Sequence, residues 1–162
     1  MEENFTLTTF YESWKAYQEH IKESLAPLPV EQLALRAAPD LRSIGENAAH
    51  IIGCRAGWFI YVLGEEDAEV KACASWDEPG APARTADELV QGLDHTWRLM
   101  AGCLDRWSPA DMRQTFTDEW DGEKVELPRA WVVWHVMEHD LHHGGELSLT
   151  LGMHGLQANF PG

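Results

Sequence analysis

The sequence predicts an all-α protein in which four helices form a bundle joined by long crossover connections. Two observations lead to this fold class: four segments carry apolar residues at steps of three and four, and no segment shows a long alternating pattern. The chain has 162 residues, which is about the size of one domain. We therefore expect residues 1–162 to form a single four-helix-bundle domain.

The first two helices are bounded by residues that favour helix starts and stops. An apolar stripe runs through residues 7–25, and Pro27 ends that helix because proline cannot continue it. Ser43 with Glu46 three residues later forms a capping-box pattern. Apolar residues at helical spacing follow, so a second helix is predicted to run from there to a stop at Gly64.

The last two helices show the same kinds of signal. Thr85 and Glu88 repeat the capping-box pattern, and apolar residues at helical spacing within 89–107 predict the inner face of a third helix. Pro128 suits the first turn of a fourth helix. That helix is predicted to run to about residue 151, with Gly152 as its C-terminal stop.

The two inner connections are long. Residues 64–84 contain several glycines and prolines, and residues 108–127 contain a possible hairpin turn at Asp121 and Gly122. A connection of about twenty residues can cross the full length of a bundle. The second and third helices therefore need not be antiparallel neighbours.

The charge of the chain excludes several kinds of partner. There are 12 Lys and Arg against 27 Asp and Glu, a net charge of −15, which repels the phosphates of nucleic acids and anionic lipids. The first residues lack the pattern of a secretion signal, and no run approaches the roughly 18 apolar residues of a membrane span. We expect a cytoplasmic protein with neither a nucleic-acid nor a membrane partner.

Histidines are concentrated on one face of the predicted fourth helix. At about 100° per residue, His135, His139, His142, His143 and Glu146 all project from the same side. A single histidine on an apolar face is more often a core residue bonded to a carbonyl. With four together, a metal ion is the more economical partner, and zinc, nickel, copper and ferrous iron all accept imidazole.

A third ligand is expected from another helix, because two ligands alone hold a metal weakly. His50 on the second helix is a candidate, with Glu46 one turn before it and Cys54 one turn after it on the same face. Glu46 is equally explained as the cap partner of Ser43, and Cys54 as a small buried hydrophobe. Either side chain could complete the coordination.

His50 together with the stretch HVMEHDLHHGGELSLTLGMHGL at residues 135–156 resembles the DinB superfamily of metal-dependent enzymes, which includes bacillithiol and mycothiol transferases. The resemblance extends over the whole chain in length and helix order. It implies a bundle in up-down-down-up order, a divalent metal held by three histidines, and frequent homodimers. Carried onto this sequence, the implied ligands are His50, His139 and His143.

The resemblance leaves the other histidines with supporting roles. His135 and His142 would either contact the metal-binding histidines or have a purely structural role. The chain departs from the commoner family ending, which has Arg and Gln where this sequence has Gly144 and Glu146. This departure concerns the substrate and the polar contacts near the metal, and leaves the implied ligand set unchanged.

Three neutral histidines would leave an open position on the metal, which is the pattern of catalytic rather than structural sites. A water there would make the protein a hydrolase, and a low-molecular-weight thiol would make it a transferase. Glu46 or Glu146 is the candidate general base or fourth ligand. Zinc or nickel is the expected metal, with iron or manganese as alternatives, and the substrate is expected to be a small molecule.

A different class of function also fits these residues. A homodimeric bundle that binds a metal or a small ligand without catalysis would keep the same histidines. Aromatic residues on the first helix, Phe10, Trp14 and Tyr17, are candidates for a dimer interface, although they would equally complete the core.

Overall fold

The computed structural model describes residues 5–160, and four long helices dominate this part of the chain. Two short α-helices, a 3-10 turn at Asp111–Arg113 and a pair of strands occupy the connections. In chain order the elements are α1 (Phe5–Leu25), α2 (Val30–Leu33), α3 (Ile44–Ala56), α4 (Ala68–Cys73), α5 (Ala86–Arg106), β1 (Thr115–Trp120), β2 (Glu123–Pro128) and α6 (Arg129–Met153).

Both predicted capping boxes are confirmed. The side chain of Ser43 accepts a hydrogen bond from the Glu46 backbone while Glu46 returns one to the Ser43 backbone, and Thr85 and Glu88 do the same before α5. These contacts fix where α3 and α5 begin because they satisfy N–H groups that have no partner inside the helix.

The second long helix changes its winding before it ends. After Ala56 it continues as a π-helix over Gly57–Val62, in which the Leu63 N–H bonds to the Trp58 carbonyl. Gly64 follows with φ of 72°, a left-handed conformation that suits glycine and ends the helix where the sequence predicted. The wider turn was not predicted.

The end of α6 differs from the prediction. Gly152 lies inside the helix, and the left-handed residue is Gly155, with φ of 67°. The Leu156 N–H bonds back to the Leu151 carbonyl and the Gly155 N–H to Gly152, which is the hydrogen-bond pattern of a Schellman motif. The helix therefore runs two residues beyond the predicted end.

The all-α description needs one correction. The connection before α6 holds an antiparallel hairpin in which Trp120 pairs with Glu123. The turn between them is the predicted one, with Asp121 and Gly122 both at positive φ, as two-residue hairpin turns require. Helices α2 and α4 were also missed, because elements this short show no periodicity.

The core surrounds α3, which packs against both α5 and α6, while α1 packs against α5 and α6. The predicted interface residues of α1 divide between core and surface: Trp14 is buried, Tyr17 is partly buried, and Phe10 is exposed. Within residues 5–160, no helix is long and apolar enough to cross a membrane.

A buried ion pair connects the helices inside this core. Arg55 on α3 and Asp140 on α6 both have side chains with 0% exposure, and Arg55 Nη2 lies 2.7 Å from Asp140 Oδ2. Trp14 on α1 donates its indole N–H to the same oxygen at 2.6 Å, and Gln18 accepts from Arg55 Nη1 at 2.7 Å. One polar network therefore ties α1, α3 and α6 together.

Candidate metal centre

Three imidazoles from two helices converge at one point in the structure. His50 comes from α3, and His139 and His143 lie one turn apart on α6. One nitrogen from each ring lies within 4.8 Å of the other two, and Nε2 of His50 is 3.0 Å from Nε2 of His139. The three residues that the resemblance implied as ligands are therefore neighbours in space.

Two of these rings are held by carboxylates at Nδ1. Asp77 Oδ2 lies 2.8 Å from His50 Nδ1, and Glu146 Oε2 lies 2.7 Å from His143 Nδ1. A carboxylate at Nδ1 favours the tautomer with its proton on that nitrogen and its lone pair on Nε2. This arrangement is typical of histidines that bind metals.

His139 has a different environment. Its Nδ1 is buried and has no hydrogen-bond partner in the part of the chain that the structure describes. Burial, together with the charges of His143, His50, His135 and Arg42, lowers the pKa of His139 to about 3. The ring is therefore neutral at physiological pH, which is the form that a metal requires.

The pKa of His143 is also lowered, chiefly by burial, with the hydrogen bond to Glu146 opposing part of the shift. The same contact lowers the pKa of Glu146 against the effect of its own burial. Glu146 is thus an ionised partner of a neutral imidazole. Its contact with His143 favours the role of orienting that ring.

Asp77 is a functional candidate that the sequence did not reveal. It lies in the connection between α4 and α5, and Gly53, one turn after His50 on α3, makes room for it. A Cβ at Gly53 would lie 2.6 Å from Asp77 Oδ1, closer than any ordinary contact. In the sequence, the one sign of this contact was a glycine, Gly53, within the predicted second helix.

Glu46 is engaged by other groups. Its Oε1 accepts a hydrogen bond from Arg36 Nη2 at 2.7 Å and its Oε2 accepts one from the Ser43 backbone at 2.8 Å. The hydrogen bond from Arg36 is the largest cause of its lowered pKa. These contacts favour the role of a helix cap over that of a general base.

Cys54 does not join the three imidazoles. Among the described residues, its sulfur belongs to no group of three ligand atoms close enough for one ion. Burial raises the pKa of its thiol to about 12, so the thiolate that a metal needs is disfavoured.

The remaining histidines of α6 lie at the edges of the cluster. The His135 ring stacks on Trp131 at an interplanar angle of 8° and meets the edge of Trp58, with its centroid 6.2 Å from that of His139. His142 is 59% exposed, and its Nε2 lies 3.2 Å from Glu146 Oε1.

A second, more exposed group of possible ligands overlaps the first. His142, His143 and Glu146 also bring one atom each within 4.8 Å of the others. The two groups share His143 alone and therefore predict different effects when the other residues are replaced.

A cavity of about 380 Å³ lies near His50, although none of the three imidazoles lines it. Asp77 lies in its wall, as does Ala49, the residue before His50. Its volume falls within the range of about 300 to 1,000 Å³ that small-molecule sites occupy.

Comparison with known proteins places the chain in a family. The model of the DinB superfamily matches residues 9–147. The chain is similar to the crystal structure of a DinB-like protein from Bacillus cereus ATCC 10987, at 21% identity, with 94% of each chain covered and a TM-score of 0.63. It is also similar to a conserved protein from Enterococcus faecalis, at 15% identity, with 94% of this chain and 99% of that chain covered and a TM-score of 0.63. No curated protein matches.

Proposed function

The chain belongs to the DinB superfamily, and we propose that it is a metal-dependent enzyme whose divalent ion is held by His50, His139 and His143. The observation that carries this proposal is the convergence of three imidazole nitrogens from α3 and α6 within 4.8 Å. Imidazoles seldom gather this way without a shared partner, because each buried ring nitrogen needs one.

The donor set fits a transition metal. Three neutral nitrogens suit zinc or nickel, with iron or manganese as the alternatives. The buried Nδ1 of His139 has no hydrogen-bond partner in the described part of the chain, so this ring lacks the carboxylate support that the other two have. Asp77 and Glu146 add negative charge behind two of the rings, which strengthens the donors they contact.

The reaction we propose is thiol transfer to a small molecule, with hydrolysis as the second reaction. When bound, the metal would lower the pKa of a thiol or a water that it coordinates, and so supply a nucleophile near neutral pH. The protein's own contribution is to fix the three rings through Asp77, Glu146 and helix packing. A low-molecular-weight thiol is the proposed cosubstrate.

The cavity beside the centre favours an enzyme over a bundle that binds metal alone, because a purely structural ion needs no space next to it. The competing proposal is a metal- or ligand-binding homodimer without catalysis. It predicts a loaded site with no turnover on any electrophile or hydrolysable ester.

We also propose a cytoplasmic homodimer. Large apolar side chains are exposed along α6, and Phe10 on α1 adds to them at 56% exposure. Such a surface is what a dimer interface would cover. The exposed apolar residues of α6 are Trp134, Leu141, Leu149 and Met153.

The test of the enzymatic proposal is turnover with controlled metal content. Untagged protein is treated with a chelator, reloaded with zinc or nickel, and assayed with several thiols and electrophiles. We expect activity in the loaded protein and none in the stripped protein. Asp77→Asn should lower activity and metal affinity together, since it loses the carboxylate behind His50. Full activity in the stripped protein would contradict the proposal.

A further inference from the structure

The cavity whose wall includes Asp77 has a mixed lining. It lies between α2, the first turns of α3 and the connection between α4 and α5. Apolar side chains form much of its wall, among them Val30, Leu33, Ala49, Trp76, Pro79 and Pro82. Three arginines also line it: Arg36, Arg42 and Arg84.

Arginines at one cavity are unexpected in this chain, which has 12 basic residues against 27 acidic ones. Acidic side chains line the cavity as well, but two of them are already paired. Glu46 accepts hydrogen bonds from Arg36, and Asp77 is bonded to His50. Glu78 is exposed.

Two of the arginines retain free donors. Arg42 is exposed and makes no hydrogen bond or ion pair within residues 5–160. Arg84 lies over the Trp76 ring, 4.6 Å from its centroid, and reaches Glu88 at 3.3 Å through Nη1. The Nε of Arg84 is buried and has no hydrogen-bond partner in the described part of the chain.

The cavity and the metal centre are connected. Asp77 contributes to both, because its carboxylate holds His50 while the residue lines the cavity. Arg42 lies in the cavity wall, and its charge also acts on His139 and on Glu146. A molecule in the cavity would therefore be separated from the proposed ligand His50 by the side chain of Asp77.

We propose that this cavity binds the carboxylate of the substrate, with Arg42 and Arg84 as its partners and an apolar chain between that carboxylate and the imidazoles. This inference rests on the proposed function and names the substrate class: a small organic acid, as the thiol or as its acceptor. Guanidinium donors suit a carboxylate because they can offer two parallel N–H groups. Trp76, Pro79 and Pro82 would pack against the apolar chain of the substrate.

The first experiment needs no metal. Hexanoate, and hexanol as its uncharged match, are titrated into chelator-treated protein while two-dimensional NMR follows the Trp76 indole signal. We expect hexanoate to shift that signal and to bind about tenfold more tightly than hexanol, the difference that one charge-assisted contact supplies. Arg42→Gln should reduce the preference, while Arg98→Gln, at an exposed arginine outside the cavity, should keep it unchanged.

The second experiment uses protein loaded with cobalt(II), whose absorption changes when a thiol coordinates. Mercaptohexanoate and mercaptohexanol are compared in the wild type, in Arg42→Gln and in Arg84→Gln. We expect the acid to bind about tenfold more tightly than the alcohol in the wild type, and this preference to be smaller in each variant. Arg42 is exposed, so its variant should fold normally even if Arg84→Gln is destabilised.

The outcomes separate the two proposals. If cobalt does not bind but hexanoate shifts Trp76 in an Arg42-dependent way, the acid site stands and the metal centre fails. If cobalt binds and thiols coordinate without preference for the acid, the metal centre stands and the acid site is overturned. Equal binding of hexanoate and hexanol to the metal-free protein would also overturn it.

Discussion

The buried pair between Arg55 and Asp140 is expected to dominate the response of this fold to mutation. Asp140→Ala would remove the carboxylate that accepts from Arg55 Nε and Nη2 and from the Trp14 indole, leaving a guanidinium with 0% exposure and no counter-charge. Breaking a buried pair by removing one partner costs about 3–5 kcal/mol, and an unpaired indole adds about 1 kcal/mol or more. We expect a loss of about 4–6 kcal/mol.

Urea and thermal unfolding measure this loss. For a domain of this size, each kcal/mol lowers the melting temperature by about 2–4 °C, so Asp140→Ala should melt at least about 8 °C below the wild type. The matched control is Asp94→Ala. Asp94 pairs with Lys22 at 2.6 Å but is 47% exposed, and exposed pairs contribute at most about 1 kcal/mol.

A double variant distinguishes the lost charge pairing from a simple packing defect. Arg55→Met with Asp140→Asn removes both charges and keeps similar volume, so it should be more stable than Asp140→Ala alone. If Asp140→Ala costs no more than Asp94→Ala, or if the double variant loses more than Asp140→Ala, the interpretation of the buried pair is refuted.

The remaining predictions concern the metal centre and the surface. Gly53→Ala should displace the Asp77 carboxylate and weaken zinc binding in calorimetry; unchanged affinity would show that Asp77 does not support the site. In metal-free protein the pKa of His139 is about 3 against about 6.5 in an unfolded chain, so the unfolded state takes up a proton that the folded state does not. Stability should fall as pH falls from about 6.5 towards 3, and less steeply in His139→Gln; equal slopes in urea titrations would contradict this. Leu149→Glu should give a mass near 18.3 kDa in sedimentation if α6 forms the dimer interface, whereas a wild type of that mass would reject the dimer.

Local chemistry explains which elements could be predicted from the sequence. The capping boxes at Ser43 and Thr85 involve partners three residues away, and the hairpin turn needs only Asp121 and Gly122. The end of α6 was placed wrongly because two glycines lie near it and sequence alone does not show which one adopts positive φ. Gly155 does so, and Gly152 remains helical.

The centre shows the same division between local and distant contacts. His139 and His143 share a face through helical spacing alone, whereas His50 was a candidate third ligand that the resemblance to a family then singled out. Asp77 is separated from His50 by 27 residues, and Asp140 from Arg55 by 85. No periodicity links such partners, so neither contact could be derived before the helices were packed.

The central claim is that His50, His139 and His143 together bind one divalent ion, and zinc calorimetry on untagged, chelator-treated protein tests it most directly. We predict one zinc per chain for the wild type and for His142→Ala, and none for His139→Ala. The two variants separate the group containing His139 from the overlapping group of His142, His143 and Glu146. Zinc binding that survives His139→Ala, or that is lost in His142→Ala, would contradict the claim.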